Sequence, residues 1–299
     1  MKSIKYILPL LLIALYSCNS KDNEKDASGV FEATEIIVSA ESSGKLLSFK
    51  VEEGNELAKN QIIGQIDSTT LHLNKLQVHA NQIALLSGRP DIKSQLGTIE
   101  REIDKLEFEK KRVERLLKGD VATQKQLDDI NAQLEVLKAS LSAKRTALDI
   151  STQAIDAQSY AMDVQIQQIE DQIDRSKIKS PIKGTVLVKY AEEGELAAMG
   201  KPLFKVANLD QMILKAYVTS DQLSKIQIGN TVKVFAEYGK DGNKEYEGKI
   251  SWISSKSEFT PKTIQTQNER ANLVYAVKII VRNNGFLKIG MYGGIKFEE

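Results

Sequence analysis

Residues 184–197 read GTVLVKYAEEGELA, and residues 44–58 read GKLLSFKVEEGNELA. Both begin with glycine, run through a short apolar strand of alternating character and end in Glu-Glu-Gly. Gly44 to Gly54 is ten residues, as is Gly184 to Gly194, and the copies lie 140 residues apart. Further on, Gln61-Ile62-Ile63-Gly64-Gln65-Ile66 aligns without a gap on Lys201-Pro202-Leu203-Phe204-Lys205-Val206. One small β unit is therefore written twice, with a different kind of sequence between the copies.

That intervening sequence has a helical period. From Ile92, apolar residues fall at 92, 96, 99, 103, 106, 113 and 117, interrupted only by Lys110. Beyond Thr123, positions 127, 134, 141, 148, 155, 162 and 169 are Leu, Leu, Leu, Leu, Ile, Met and Ile. A seven-residue repeat held this long predicts a left-handed coiled coil. Its companion seam starts with Ile130 and Leu137, then weakens to Lys144, Ser151, Gln158 and Gln165, with Ile166 and Ile173 as alternative companions at the base. Lys118-Gly119-Asp120-Val121-Ala122 carries a helix-stopping glycine, and Thr123 to Gln126 has the spacing of a capping box. Counted outward from Asp120, arms reaching Thr69 and Lys177 are nearly equal, as an antiparallel hairpin requires. Pro90 in Ser87-Gly88-Arg89-Pro90 breaks or kinks the first arm. Because such a hairpin returns the chain to its start, two β units too small to stand alone can close into one sandwich.

Lys+Arg number 41 against Asp+Glu 40, with no long basic block, so no nucleic-acid partner is expected. Lys2 and Lys5 precede an apolar run from Tyr6 to Tyr16, too short for the roughly 20 residues of a spanning helix. It reads as an export signal over residues 1–17. Leu15-Tyr16-Ser17-Cys18 is similar to the lipobox of bacterial lipoproteins, with an unusual tyrosine, which implies lipid attachment at Cys18, the only cysteine. Residues 18–29 then read as a polar tether.

After residue 207 the chain reads as a small β domain, residues 208–299. Strands are expected at 212–218, 231–237, 246–253, 273–282 and 292–297, and a serine-capped helix at Ser220–Ile226. Trp252 is expected inside the barrel. His72 and His79, one heptad apart, stand too far from each other to share a zinc. Glu52-Glu53 and Glu192-Glu193 occupy the same turn in both copies, which suits a solvated turn better than an acid/base pair. No catalytic arrangement is evident, so no enzyme and no cofactor are expected.

These features resemble the HlyD-type periplasmic adaptor family, also called membrane fusion proteins. The resemblance implies a mixed α and β fold: a lipoyl-like β-sandwich (30–68 plus 178–207) split by a long antiparallel α-helical coiled-coil hairpin (69–177, tip near 118–123), followed by a small β-barrel domain. Arg112, Leu116 and Thr123 match the family's R-x3-L-x6-S tip pattern, with threonine in place of serine, and Asp128 sits where an acidic residue is frequent. The resemblance implies docking of that tip on an outer-membrane channel of the TolC type. It also implies an inner-membrane transporter as partner, self-association into a ring, usually a hexamer, and a periplasm-facing location. The lipid would sit in the inner membrane, with the outer membrane as the other option. Ser257-Glu258-Phe259-Thr260-Pro261-Lys262-Thr263, Leu273 to Lys278 and Gly290-Met291 look like the barrel domain of adaptors serving ABC-type exporters. A membrane-proximal domain is expected to be reduced or absent. Two rivals are an adaptor of a proton-driven RND pump and a structural coiled-coil lipoprotein. A swinging-arm carrier would need a modified lysine where this chain has Asp67-Ser68-Thr69-Thr70.

Overall fold

The computed structural model describes residues 25–239, 242–259 and 273–297. The expected signal peptide, Cys18, the first part of the tether and Thr260–Thr263 lie outside these residues. Two units emerge: one from residues up to 40, 46–64 and 178 onward, the other from residues 41–45 and 65–177.

In the first unit the repeat exchanges strands with itself. The first copy supplies β2 (Glu35–Ser39), β3 (Gly44–Phe49), β4 (Glu56–Leu57) and β5 (Ile62–Ile66). The second supplies β6 (Lys177–Lys179), β7 (Gly184–Lys189), β8 (Leu196–Ala197) and β9 (Pro202–Ala207). The two sheets run β2-β9-β7-β4 and β6-β5-β3-β8. Each sheet thus takes its two central strands from one copy and its two edges from the other. Bonds outside the ladders repeat with the same offset. Gly54 N–H donates to Val186 O at 2.9 Å, and Gly194 N–H to Leu46 O at 2.8 Å. Asn60 N–H donates to Ser180 O at 2.7 Å, and Gly200 N–H to Ala40 O at 2.8 Å.

Both glycines of each copy have a physical cause. Gly54 and Gly194 turn with φ of 88° and 91°, the left-handed region that side chains disfavour. A Cβ on Gly44 would meet Asp67 O at 3.0 Å, and one on Gly184 would meet Ala207 O at 2.4 Å. Between the sheets, Leu46, Val186, Leu203 and Val206 are buried, and the rings of Phe49 and Phe204 lie 6.2 Å apart.

The rest of this unit is a closed barrel of order β1-β10-β13-β12-β11-β14. Its strands are β1 (Ala27–Glu32), β10 (Gln211–Thr219), β11 (Thr231–Tyr238), β12 (Gly242–Phe259), β13 (Leu273–Arg282) and β14 (Tyr292–Lys296). Strand β1 corrects the expected boundaries, which gave residues 27–29 to the tether and started the sandwich at 30. It lies between β10 and β14, with Phe31 wholly buried. Six residues after a polar run give too little pattern to assign, but alternate burial of Ala27, Gly29 and Phe31 closes a barrel edge that would otherwise be unpaired.

Two smaller expectations also change. The helix after β10 is the single turn Ser220–Leu223, and Thr219 rather than serine caps it, because Ser220 is already helical. Trp252 points outward, 43% exposed, with the Lys278 Nζ 5.5 Å from its ring centre. A register shift between Ile250 and Trp252 is the reason. Ile250 is inside, and one extra residue on the bulged strand reverses the alternation.

Gly184→Ala is expected to lower the Tm more than Gly194→Ala. The second substitution costs about 1 kcal/mol of left-handed strain. The first drives a Cβ against backbone, and overpacking of that kind costs roughly 1–3 kcal/mol. Thermal unfolding of both variants compares the two, and equal shifts would contradict the close-approach reading.

Candidate functional site

In the second unit the arms of the hairpin are α1 (Thr69–Ser87), α2 (Ile92–Leu117) and α3 (Gln124–Arg175). At 1.5 Å per residue the 52-residue α3 is about 78 Å long. The break after α1 holds Gly88 and Pro90, and Asp91 restarts the helix by accepting from Ser94 N–H at 3.1 Å. Leu96, Ile103 and Val113 of α2 and Leu134 and Leu148 of α3 are buried in the seam. The companion row leaves out the expected Lys144, Ser151, Gln158 and Gln165, which are exposed; it passes from 130 and 137 through 152 and 159 to Ile166 and Ile173, the alternative companions expected at the base. The change of companion falls near the break, where Arg89 pairs with Asp156.

The register is antiparallel throughout. Glu107 meets Lys138 at 2.6 Å, Glu100 meets Arg145 at 3.8 Å, and Lys75 meets Glu170 at 2.6 Å. Each step along one arm is matched by an equal step back along the other. Exposed pairs of this kind contribute about 0–1 kcal/mol, so they report the register that the apolar seam sets. At the base, Ile66 N–H donates to Ser176 O at 2.8 Å, and the Gln65 amide reaches the Ser68 and Ser176 hydroxyls.

The tip is built by the turn between α2 and α3. Leu116 O accepts from Gly119 N–H at 3.1 Å and from Val121 N–H at 2.9 Å, while Asp120 adopts φ of 55°. The Thr123 hydroxyl accepts from Gln126 N–H, and the Gln126 side chain accepts from Thr123 N–H at 2.9 Å, so the capping box is complete. Arg112 and Leu116 are one helical turn apart on the same face. Arg112 is exposed, with its guanidinium 3.5 Å from the Glu109 carboxylate. Asp128 accepts from the Gln124 amide at 2.9 Å. Thr123 belongs to the start of α3, and its hydroxyl serves the backbone.

Two tip residues escape a motif-based reading. Phe108, 67% exposed, lies one turn before Arg112 and extends the line Phe108, Arg112, Leu116. Its signal in the sequence is an aromatic residue that falls outside the seam positions 106 and 113. Val121, 75% exposed, crowns the turn itself.

The paired acids of the repeat hold the sandwich turns. A Glu53 carboxylate oxygen accepts from Lys189 N–H at 3.2 Å, and a Glu193 oxygen accepts from Phe49 N–H at 3.4 Å, the equivalent bond 140 residues on. Lys189 replaces the buried Phe49 of the first copy, and its ammonium lies 2.7 Å from Glu192 and 3.2 Å from Glu52. His72 and His79 are exposed, and no cluster of three metal-binding side chains occurs among the described residues. Where a carrier domain would bear its lysine, the Asp67 carboxylate accepts from Thr69 N–H at 2.9 Å and Thr69 Oγ1 at 2.7 Å. These two bonds hold its pKa below the usual carboxylate value.

Residues 34–209 match a family model described as "RND MFP, barrel-sandwich hybrid domain", MFP being membrane fusion protein. The chain belongs to this family. Among curated relatives, a UPF0194 membrane protein of Yersinia pseudotuberculosis serotype O:3 is 35% identical over 121 residues, which are 40% of this chain and 36% of that protein. The UPF0194 membrane protein YbhG of Salmonella paratyphi B is 33% identical over a stretch of the same length. The match spans about a third of the length of these relatives. Among solved structures, MacA from Actinobacillus actinomycetemcomitans superposes with a TM-score of 0.54 at 24% identity, covering 90% of this chain and 76% of that one. A MacA-MexA chimeric protein containing the Pseudomonas aeruginosa MexA alpha-hairpin domain gives 0.52 at 22% identity, covering 90% and 78%. At these identities the likeness establishes the fold, a long helical hairpin joined to β domains. The relatives are named membrane proteins, and no helix among this membrane fusion protein's described residues is long and apolar enough to cross a bilayer.

Alkaline titration tests the lysine of the sandwich. The hydrogen bond to Glu192 raises the Lys189 pKa, burial opposes it, and the bond to Glu52 adds to the rise. A raised lysine pKa stabilises fully below the unfolded value of about 10.4, and that contribution is lost as pH rises through the higher folded value. Lys189→Met is therefore expected to reduce the fall in Tm between about pH 9 and pH 11.5. An unchanged alkaline slope would remove Lys189 from the stability of the fold.

Proposed function

We propose that this membrane fusion protein is the periplasmic adaptor subunit of a tripartite export system. It links an inner-membrane transporter to an outer-membrane channel of the TolC type, and itself performs no catalysis. The observation that carries the reading is the exposed line Phe108, Arg112 and Leu116 beside a turn fixed by the Thr123 capping box. An aromatic ring, a cation and a leucine held on rigid helix make a surface that a partner helix could bury, because little backbone entropy remains to be lost there.

The transporter is of ABC type in this reading, supported by the likeness of the barrel stretches 257–263 and 273–278 to adaptors of ABC exporters. A proton-driven RND partner is the second reading, favoured by the name of the matching family. Lipid on Cys18 would hold the chain to the inner membrane, facing the periplasm. Copies would associate side by side into a ring of about six, the arrangement usual among these adaptors. A second apolar stripe supports lateral packing: Leu73, Leu76 and Ile83 of α1 are exposed while Leu71, Val78 and Leu85 turn toward the seam.

Arg112→Asp and Leu116→Asp are each expected to lower channel pull-down and export by about tenfold or more, a loss of about 1.4 kcal/mol or more at the interface. Helicity by circular dichroism should stay at the wild-type level. Unchanged export in both variants would favour a structural coiled-coil lipoprotein instead. Cys18→Ser should abolish fatty-acid labelling of the chain, and labelling that persists would refute attachment at that thiol.

A further inference from the structure

The chain contains one tryptophan, and it stands on the outside of the barrel. Its neighbours form a row across four strands. Val30 on β1 pairs with Lys215 on β10, Lys215 with Lys278 on β13, and Lys278 with Trp252 on β12. In the adjacent row Ile213 pairs with Ile280, which is itself exposed. Both lysines lie against aromatic faces: Lys278 Nζ is 5.5 Å from the Trp252 ring centre and Lys215 Nζ is 5.6 Å from that of Tyr217. The acids near Lys215 are Glu32 and Glu258, and exposed Glu247 shares the outward side of β12 with Lys249. Against these three acids stand Lys215, Lys278, Lys249 and exposed Arg282, four cations, so the face is basic by one charge. A barrel needs nothing of this on its outer wall. Its core is already closed by the inward residues of the same strands, among them Leu214, Ile250 and Ile279.

We propose that this outer face of β10, β12 and β13 rests on the headgroup zone of an anionic lipid bilayer. The chemistry fits that occupant. Indole and phenol rings with a polar edge concentrate at the membrane–water boundary, and lysines near an anionic leaflet are drawn to its surface potential. Chain length points the same way, and here the inference rests on the lipid proposed for Cys18. Eight residues lie between Cys18 and Ala27, nine Cα steps, so a fully extended connection is at most about 32 Å. The connection enters the barrel on β1, the strand hydrogen-bonded to β10, which carries part of the basic aromatic face. A lipidated chain would thereby hold this wall within reach of the bilayer.

Because Trp252 is the only tryptophan, its fluorescence reads the face directly. The mature chain carrying Cys18→Ser, which cannot be lipidated, would be titrated with vesicles of phosphatidylethanolamine and phosphatidylglycerol, and separately with phosphatidylcholine alone. A blue shift of the emission, quenched by brominated lipid, is expected with the anionic vesicles only. Lys278→Ala should weaken that partition by about fivefold, the share of one lysine near an anionic surface. Trp252→Phe, followed by co-sedimentation, should retain most of the binding and Trp252→Ala should lose it, with Tm monitored in each variant. Emission that ignores anionic vesicles would overturn the proposal, as would equal binding by Lys278→Ala, and would leave a protein partner as the occupant of the face. Arg112→Asp should bind vesicles as the parent does. A failure here therefore separates from a failure of the adaptor reading, which the export assay tests, and from a failure of lipidation, which fatty-acid labelling tests.

Discussion

The sandwich depends on one reciprocal arrangement of backbone hydrogen bonds between segments 140 residues apart. Gly54 N–H binds Val186 O, Gly194 N–H binds Leu46 O, and the second glutamate of each turn accepts from a strand end of the other copy. Neither copy completes a sheet by itself, since each sheet takes its edges from the opposite copy. A flexible connection of this length would add closure entropy to every such bond. The intervening residues are instead mostly helix, so far fewer conformations are lost when their ends meet. The Ile66–Ser176 hydrogen bond and the Gln65 contacts with Ser68 and Ser176 tie those ends together at the base of the hairpin.

The hairpin divides its work between faces. Leu96, Ile103, Leu134 and Leu148 hold the arms in register, and the ion pairs from Lys75–Glu170 to Glu107–Lys138 follow that register. One layer is polar: the Gln82 amide donates to the Ser159 hydroxyl at 3.1 Å and to Asp163 at 2.6 Å. A buried amide with specific partners is costly to slide out of line, so it selects this alignment among those the leucines alone would allow. The outer faces keep large apolar side chains that the seam does not use. These are the residues to which a partner or a second copy can contribute the missing contacts.

The barrel shows how a short strand far away in sequence can decide a domain. Strand β1 supplies the sixth position and leaves no open edge, which matters because an unpaired edge templates association with other chains. The bulge beside Ile250 has the opposite sense: it spoils regular alternation and turns a tryptophan toward solvent. Alternation is a strong rule only while the ladder is regular, and a single inserted residue reverses it.

Periodicity by itself determined much of this protein. The G-x9-G pair, the leucine heptads from 127 and the T-x-x-Q at Thr123 made the split β unit, the antiparallel arms and the capped turn readable, because each is a local pattern with one low-energy geometry. The tip line was legible in Arg112 and Leu116 and only half so in Phe108, whose exposure depends on which face the opposite arm covers. Tertiary structure alone decided three things. It assigned β1 to the barrel, carried the companion seam through 152 and 159 to the Ile166 and Ile173 already legible in the sequence, and placed Trp252 outside. The physical reason is common to all three. Edge pairing, the phase of a seam across a helix break and the side of a strand beyond a bulge are set by the partner segment, and no pattern within the segment encodes them.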